Sequence, residues 1–141
     1  MTRITGALRA RVRQQAKDRC GYCLAEQRRV MGVIQVDHIV CRSVGGTDEE
    51  DNLWLACSLC NGFKGSKTHG VDPVTGHREP LFNPRTEQWP AHFAWDGPRI
   101  VGRTGCGRAT VRALQLNNAY AIRVRTQWAL VGWHPPTDES E

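Results

Sequence analysis

The chain has 141 residues, of which 40% are hydrophobic and 23% are charged, and its formal net charge is +5. This length suits one domain with a modest core, and the composition excludes a wholly disordered chain. No apolar run approaches the ~20 residues of a membrane span, and the N-terminus lacks the apolar core of a signal peptide. We therefore expect a cytoplasmic protein without a membrane partner.

The beginning of the chain carries an apolar residue at every fourth position, namely Ile4, Leu8, Val12 and Ala16. Such spacing lines one face of an α-helix, so we predict an N-terminal helix over residues 1–19. The helix is expected to stop near Cys20-Gly21, because Gly21 suits a tight turn.

Two strands are predicted next. Residues 30–40 are rich in β-branched side chains, which favours a strand with Asp37-His38 toward its end. The apolar run 53–56 predicts a second, short strand. Between them, Gly45-Gly46 and the acidic run 48–51 predict a solvated loop.

Beyond the second strand the pattern predicts four more features. A short helix is expected over residues 61–67, although its two glycines lower the intrinsic stability. Residues 68–90 are rich in proline and glycine and predict an ordered loop with turns. A hairpin is expected over 92–101 with Asp96-Gly97 at its turn, and two helices over Thr104–Leu116 and Ala119–Trp133.

Four of the six cysteines form two Cys-x-x-Cys pairs, Cys20/Cys23 and Cys57/Cys60. Cysteines of a cytoplasmic chain stay reduced, so this spacing favours a metal over disulfides. Four thiolates complete a tetrahedral zinc site and leave no open position for a catalytic water. The zinc is therefore predicted to be structural.

The 33 residues between the two pairs exceed the roughly 15 to 20 of a simple zinc ribbon. Asp37, His38 and Asn52 lie in this excursion, and Asn61 follows the second pair directly. A carboxylate, an imidazole and two carboxamides can hold a hard cation and move a proton. The pattern therefore favours a hydrolase over a bare zinc module.

The order Cys-x-x-Cys, Asp-His, Gly-Gly, Asn-Leu and Cys-x-x-Cys-Asn-x-x-Lys resembles the HNH endonuclease family over Cys20 to about Lys67. The resemblance implies an α+β fold with a ββα-metal (HNH or His-Me finger) core stapled by a four-cysteine zinc site. That fold agrees with the strand, loop, strand and helix predicted above. Segments 81–85 and 89–93 also resemble a bacterial subgroup of the family, with lower specificity.

On this basis we expect residues 1–141 to form a single HNH nuclease domain. Its predicted parts are an N-terminal helix (residues 1–19) and a zinc-stapled core (20–67). An extension of loop, hairpin and helices (68–134) and a frayed tail (135–141) follow.

The resemblance also implies roles for the central residues. His38 corresponds to the general base that takes a proton from the attacking water, and an imidazole is suited to this at neutral pH. Asp37 and Asn61 match the positions that hold a catalytic divalent ion, and their oxygen donors favour Mg²⁺ or Mn²⁺. Asn52 resembles a brace that bonds backbone and aims the imidazole. Asn61 departs from the histidine of the family name.

The resemblance implies DNA as the partner, and the basic charge of the chain permits a polyanion. Six arginines and no acidic residue lie between Arg99 and Trp128, which predicts a phosphate-binding surface. The candidate nucleic-acid contacts are Lys64, Lys67, Arg108 and Arg112. For any one of them, an ordinary solvated surface residue is the competing interpretation.

The leading hypothesis is thus a metal-dependent DNA endonuclease that leaves 5′-phosphate and 3′-hydroxyl ends. The alternative is a catalytically inactive, zinc-stapled nucleic-acid-binding module. A thiol-disulfide redox protein is disfavoured because the cysteine pairs lack a thioredoxin-like βαβ setting. Cys41 and Cys106 are interpreted as small buried hydrophobic residues. Sequence specificity, nicking against double-strand cleavage, and oligomeric state are left open.

Overall fold

The computed structural model describes residues 4–137 of the chain. Helix α1 spans Gly6–Gln15. The hydroxyl of Thr5 caps its first turn by accepting a hydrogen bond from the backbone N–H of Leu8 at 3.1 Å. Leu8 and Val12 are buried, so the apolar stripe predicted from the sequence faces the core.

Helix α1 is shorter than the predicted 1–19. Lys17 and Asp18 both adopt positive φ angles, 53° and 56°, which an α-helix does not accommodate. The chain therefore leaves the helix after Gln15 and turns toward Cys20. The first three residues of the predicted helix lie outside the described residues.

The centre of the fold is a ββα unit. Strands β1 (Gln35–His38) and β2 (Leu53–Ala56) pair antiparallel, with Asp37 opposite Trp54 and His38 opposite Leu53. Helix α2 (Ser58–Lys64) follows β2 directly. This arrangement confirms the predicted α+β class and the order strand, loop, strand and helix.

Two boundaries in this unit differ from the prediction. Strand β1 occupies only part of residues 30–40, because Ile34 is bonded by side chains and not by a partner strand. Its N–H donates to the Gln27 carboxamide at 2.7 Å, and its carbonyl accepts from Arg13 at 2.8 Å. Helix α2 begins before residue 61, because the Cys57 thiol accepts the N–H of Cys60 at its first turn.

The segment predicted to be a loop with turns also contains secondary structure. Strands β3 (His69–Val71) and β4 (Arg78–Pro80) form a short antiparallel hairpin, and a single-turn helix α3 spans Trp89–His92. The hairpin escaped prediction because each of its strands has three residues, too few for an alternating pattern to be recognised.

The C-terminal part agrees more closely with expectation. Strands β5 (Phe93–Asp96) and β6 (Arg99–Gly102) form the predicted hairpin around Gly97, whose φ is 57°. Helices α4 (Gly105–Ala113) and α5 (Ala119–Leu130) follow, each with a side-chain cap at its first turn, from Thr104 and Asn118 respectively.

Two buried clusters hold these elements together. In the first, α1 packs on β2 through Leu8, Val12, Leu53 and Leu55. The second joins the zinc-pair cysteines to the C-terminal part, and its aromatic members are Tyr22, Phe82 and Phe93. Within residues 4–137, no helix is long and apolar enough to cross a membrane.

Candidate functional site

Four cysteine sulfurs converge where the two Cys-x-x-Cys turns meet. The Sγ atoms of Cys20, Cys23, Cys57 and Cys60 all lie within 4.8 Å of one another, and those of Cys23 and Cys57 are 3.8 Å apart. A tetrahedral zinc with Zn–S bonds of 2.3 Å separates its sulfurs by about 3.8 Å. A disulfide would need about 2.05 Å. The cluster therefore fits a structural zinc, as predicted.

The protonation chemistry of the cluster also favours a cation. Hydrogen bonding to Cys20 and burial raise the pKa of Cys23 and Cys60 well above that of an ordinary thiol. Hydrogen bonds from Cys20, Cys23 and Cys60 lower the pKa of Cys57. A bound Zn²⁺ would supply the positive charge that ionises the four thiols.

A buried arginine lies beside this cluster. Arg125 of α5 donates to the carbonyl oxygens of Pro98 at 2.6 Å and Leu116 at 2.7 Å. Burial lowers the pKa of its guanidinium, and the negative charge of the nearby cysteines opposes that shift. These hydrogen bonds attach helix α5 to the chain at Pro98 and Leu116.

Asp37 and His38 form the end of β1, and α2 packs against them through Lys64. The Lys64 ammonium donates to the carbonyl oxygen of His38 at 2.9 Å and lies 3.5 Å from Asp37 Oδ2. Only 2% of the Lys64 side chain is exposed. Its positive charge therefore interacts with groups inside the protein and not with solvent.

Asp48 contacts the histidine from the loop that follows β1. Its Oδ1 lies 2.8 Å from Nε2 of His38, and the exposed fractions of the two side chains are 15% and 23%. The sequence predicts a solvated acidic loop here. The structure corrects this prediction for Asp48, because its side chain is largely buried against His38. The sequence offered one usable signal, since Asp48 is the first acid after Gly45-Gly46, where the chain turns back toward β1.

Asn52 joins the two ends of that loop. Its carboxamide nitrogen donates to the carbonyl oxygens of Val40 at 3.0 Å and Thr47 at 2.8 Å, and its oxygen accepts the N–H of Val40 at 2.8 Å. All three bonds go to backbone, so the geometry supports a brace. Gly46 allows the close approach, because a Cβ there would overlap the Val40 carbonyl.

Asn61 lies on the same side of α2 as Lys64, because residues three apart on a helix are neighbours. None of the described residues forms a hydrogen bond with its half-buried carboxamide. Since Lys64 contacts Asp37, this side of α2 faces the end of β1.

The four predicted nucleic-acid contacts fall into two pairs. Lys67 and Arg112 are exposed, whereas Lys64 is buried as described above. Arg108 forms two hydrogen bonds with the fully buried Asp72, at 2.9 and 2.8 Å. Lys64 and Arg108 therefore have internal partners, and so does Lys67, whose ammonium donates to the carbonyl oxygen of Phe63 at 2.7 Å. A phosphate contact from the buried Lys64 does not agree with the structure.

One exposed basic residue near the histidine was not predicted. The side chain of Arg42 is 64% exposed, and its Nε lies 3.7 Å from the Asp48 oxygen that pairs with His38. Arg42 follows His38 by only four residues. It was not predicted because its segment has no charge pattern that indicates a binding surface.

A second group of metal-ligand residues has a structural explanation. Glu87, His92 and Cys106 lie within 4.8 Å of one another. Both nitrogens of His92 already have partners, since Nε2 bonds Glu87 and Nδ1 bonds the α4-capping hydroxyl of Thr104, at 2.8 and 2.7 Å. Burial raises the pKa of Cys106 to about 11, so its thiol is neutral at neutral pH.

Residues 20–67 match the model of one protein family, described as HNH endonuclease. The match covers β1, β2, α2, the four cysteines and the pair Asp37-His38. The resemblance to the HNH endonucleases is thereby confirmed for this segment of the chain. No curated protein and no solved structure matches the chain.

Proposed function

We propose that the protein is a metal-dependent DNA endonuclease that hydrolyses phosphodiester bonds and leaves 5′-phosphate and 3′-hydroxyl ends. The observation that carries the proposal is the contact between Lys64 and the pair Asp37-His38. It puts the α2 face bearing Asn61 against the end of β1, within the segment that matches the HNH endonucleases.

In the proposed reaction His38 is the general base. Its imidazole accepts a proton from the water that attacks the phosphorus, which is the usual task of a histidine at neutral pH. The partial exposure of the ring leaves room for a water and a phosphate beside it. Asn52 takes no part in the proton transfer and holds the loop next to the histidine.

Asp37 and Asn61 are proposed to hold Mg²⁺ or Mn²⁺. Carboxylate and carboxamide oxygens are the ligands that these hard ions prefer. When bound, the ion supplies positive charge for the phosphate and for the departing 3′ oxygen. Lys67 and Arg112, both exposed, are proposed phosphate contacts, and Arg42 is added to them because it lies close to the histidine.

The competing function is a nucleic-acid-binding module without catalysis. It is favoured by one observation, the ion pair between Lys64 and Asp37, which supplies a positive charge where the ion would bind. Against it, Asp37 retains a second oxygen, and the side-chain carboxamide of Asn61 has no hydrogen bond to a described residue. The active enzyme therefore accounts for more of the site.

Supercoiled plasmid incubated with the protein and Mg²⁺ or Mn²⁺, with EDTA as control, separates the two functions. Nicked or linear product that DNA ligase can reseal would establish both hydrolysis and the end chemistry. We expect His38→Ala to abolish cleavage and to bind DNA as the wild type does. His77→Ala, in an exposed loop, is the matched control. Cleavage by His38→Ala at the wild-type rate would refute the proposed role.

A further inference from the structure

We propose that Asp48 is the positioning residue of His38, holding the imidazole so that Nδ1 is the nitrogen that receives the proton. The inference rests on the proposed nuclease function. It starts from the 2.8 Å contact between Asp48 Oδ1 and His38 Nε2. The family match does not assign this residue.

The contact decides which nitrogen carries the hydrogen. An ionised carboxylate only accepts hydrogen bonds, so Nε2 must carry a hydrogen and donate it to Asp48. In the neutral ring, Nδ1 then bears the free lone pair. None of the described residues bonds Nδ1. This nitrogen is thus the free acceptor of the site.

The carboxylate is fixed relative to the ring by the loop that carries it. Thr47, its neighbour, is bonded to Asn52, which also bonds both backbone groups of Val40, two residues after the histidine. One carboxamide thereby links the residue before Asp48 to the chain just beyond His38. The pair is held from both sides, which lowers the reorganisation needed before reaction.

The charge of Asp48 also suits the product of the proton transfer. The water O–H bond breaks, the oxygen attacks phosphorus with that electron pair, and the proton goes to Nδ1. The P–O3′ bond breaks, and the 3′ oxygen leaves with its electron pair and takes a proton from solvent. The resulting imidazolium is balanced by the Asp48 carboxylate, which itself takes no proton, as in the aspartate–histidine pair of serine proteases. Arg42, 3.7 Å from the same oxygen, is also charged, and its exposure to solvent weakens its effect. The Lys64 ammonium bonds the His38 carbonyl and lies 3.5 Å from the Asp37 carboxylate, which offsets its charge.

The test compares Asp48→Ala and Asp48→Asn, with Asp51→Ala as the matched control from the same loop. Asp51 is exposed. For Asp48→Ala we expect kcat to fall about 10- to 100-fold, with KM and melting temperature close to those of Asp51→Ala. The kcat of Asp48→Asn should fall less, because its carboxamide oxygen can still accept the hydrogen bond from Nε2. Equal kcat for Asp48→Ala and Asp51→Ala would overturn the proposal.

A readout that does not depend on cleavage is the imidazole itself. In ¹⁵N-labelled wild-type protein we expect a hydrogen-bonded Nε2–H signal from His38 that disappears in Asp48→Ala and remains in Asp51→Ala. A wild-type ring protonated on Nδ1, or an unchanged signal in Asp48→Ala, would overturn the proposal. An inactive wild type with the expected signals would refute the nuclease function and leave the Asp48–His38 pairing established.

Discussion

The buried ammonium of Lys64 donates to the carbonyl oxygen of the half-buried His38 at 2.9 Å. A lysine three positions beyond Asn61 thus attaches α2 to the strand end that bears the candidate base. The bond fixes the distance between two elements, each of which supplies part of the candidate site.

Lys64→Met should lower the free energy of unfolding by about 2 to 3 kcal/mol, because it removes a charged donor from the half-buried His38 carbonyl and from Asp37. Lys67→Met, at an exposed lysine of the same segment, should change it by less than about 0.5 kcal/mol. Urea denaturation of both variants at one zinc concentration measures the difference. Equal stabilities would show that the Lys64 bond does not stabilise the fold.

Cys57→Ser should prevent folding, because Cys57 contributes a thiolate to the zinc and caps α2. We expect the zinc content to fall from one ion per chain to well below one, and the cooperative melting transition to disappear. Cys41→Ser lies outside the cluster and should keep both. Metal analysis with thermal melting makes the comparison, and a zinc-loaded Cys57→Ser with an unchanged transition would disprove the structural role.

Asn61→His should shift the metal preference of cleavage toward softer ions. An imidazole favours Ni²⁺ or Co²⁺ more than a carboxamide oxygen does. The ratio of the rate in Ni²⁺ to the rate in Mg²⁺ should therefore rise about tenfold or more. Asn61→Ala removes the ligand without replacing it, so this variant should cleave DNA slowly with either metal ion. If Asn61→Ala cleaved as fast as the wild type, Asn61 would not be a ligand.

Much of the fold could be predicted because its signals are local. The fourfold spacing of Leu8 and Val12 marks α1, and the Asp96-Gly97 pair marks the turn of the β5–β6 hairpin. The cysteine pairs indicate the zinc cluster for the same reason, since each pair occupies one tight turn.

The features that escaped prediction depend on partners distant in sequence. The β3–β4 hairpin is held by Arg108, which reaches Asp72 across 36 residues. Lys64 carries a charge, which normally indicates a surface residue, and only the folded structure shows its internal acceptors. Asp48 is the first of four consecutive acidic residues, and apart from its place just after Gly45-Gly46 nothing in that run distinguishes the one that contacts His38.

Because of the Asp72–Arg108 pair, we expect the free energy of unfolding to vary with pH in the acid range. The hydrogen bonds from Arg108 hold the pKa of Asp72 well below its usual range. A lowered folded-state pKa contributes stability that is complete above the unfolded value of about 3.9 and is lost as the pH falls below it. Asp72→Asn should thus be less stable than the wild type at pH 7 and pH 5, and the difference should shrink at pH 3. Urea denaturation at the three pH values, with Asp51→Asn as control, tests this.

Gly46→Ala should lower both activity and stability, because its methyl group would overlap the Val40 carbonyl and displace the loop that Asn52 braces. Gly62→Ala is the matched control. It lies inside α2 with open space around its Cα, so alanine should raise the free energy of unfolding by about 1 kcal/mol. Circular dichroism melts and plasmid cleavage report the two effects. A fully active Gly46→Ala would show that the loop tolerates the displacement.

The three sheets of residues 4–137 have two strands each, so no strand there is bonded on both edges. Isolated two-stranded hairpins are marginally stable in water, and each hairpin depends on what packs against it. Amide hydrogens should therefore exchange with solvent at rates that differ from hairpin to hairpin. We expect β1 and β2, which lie between the zinc cluster and α1, to exchange most slowly. Strands β3 and β4 contain no buried residue, so they should open earlier.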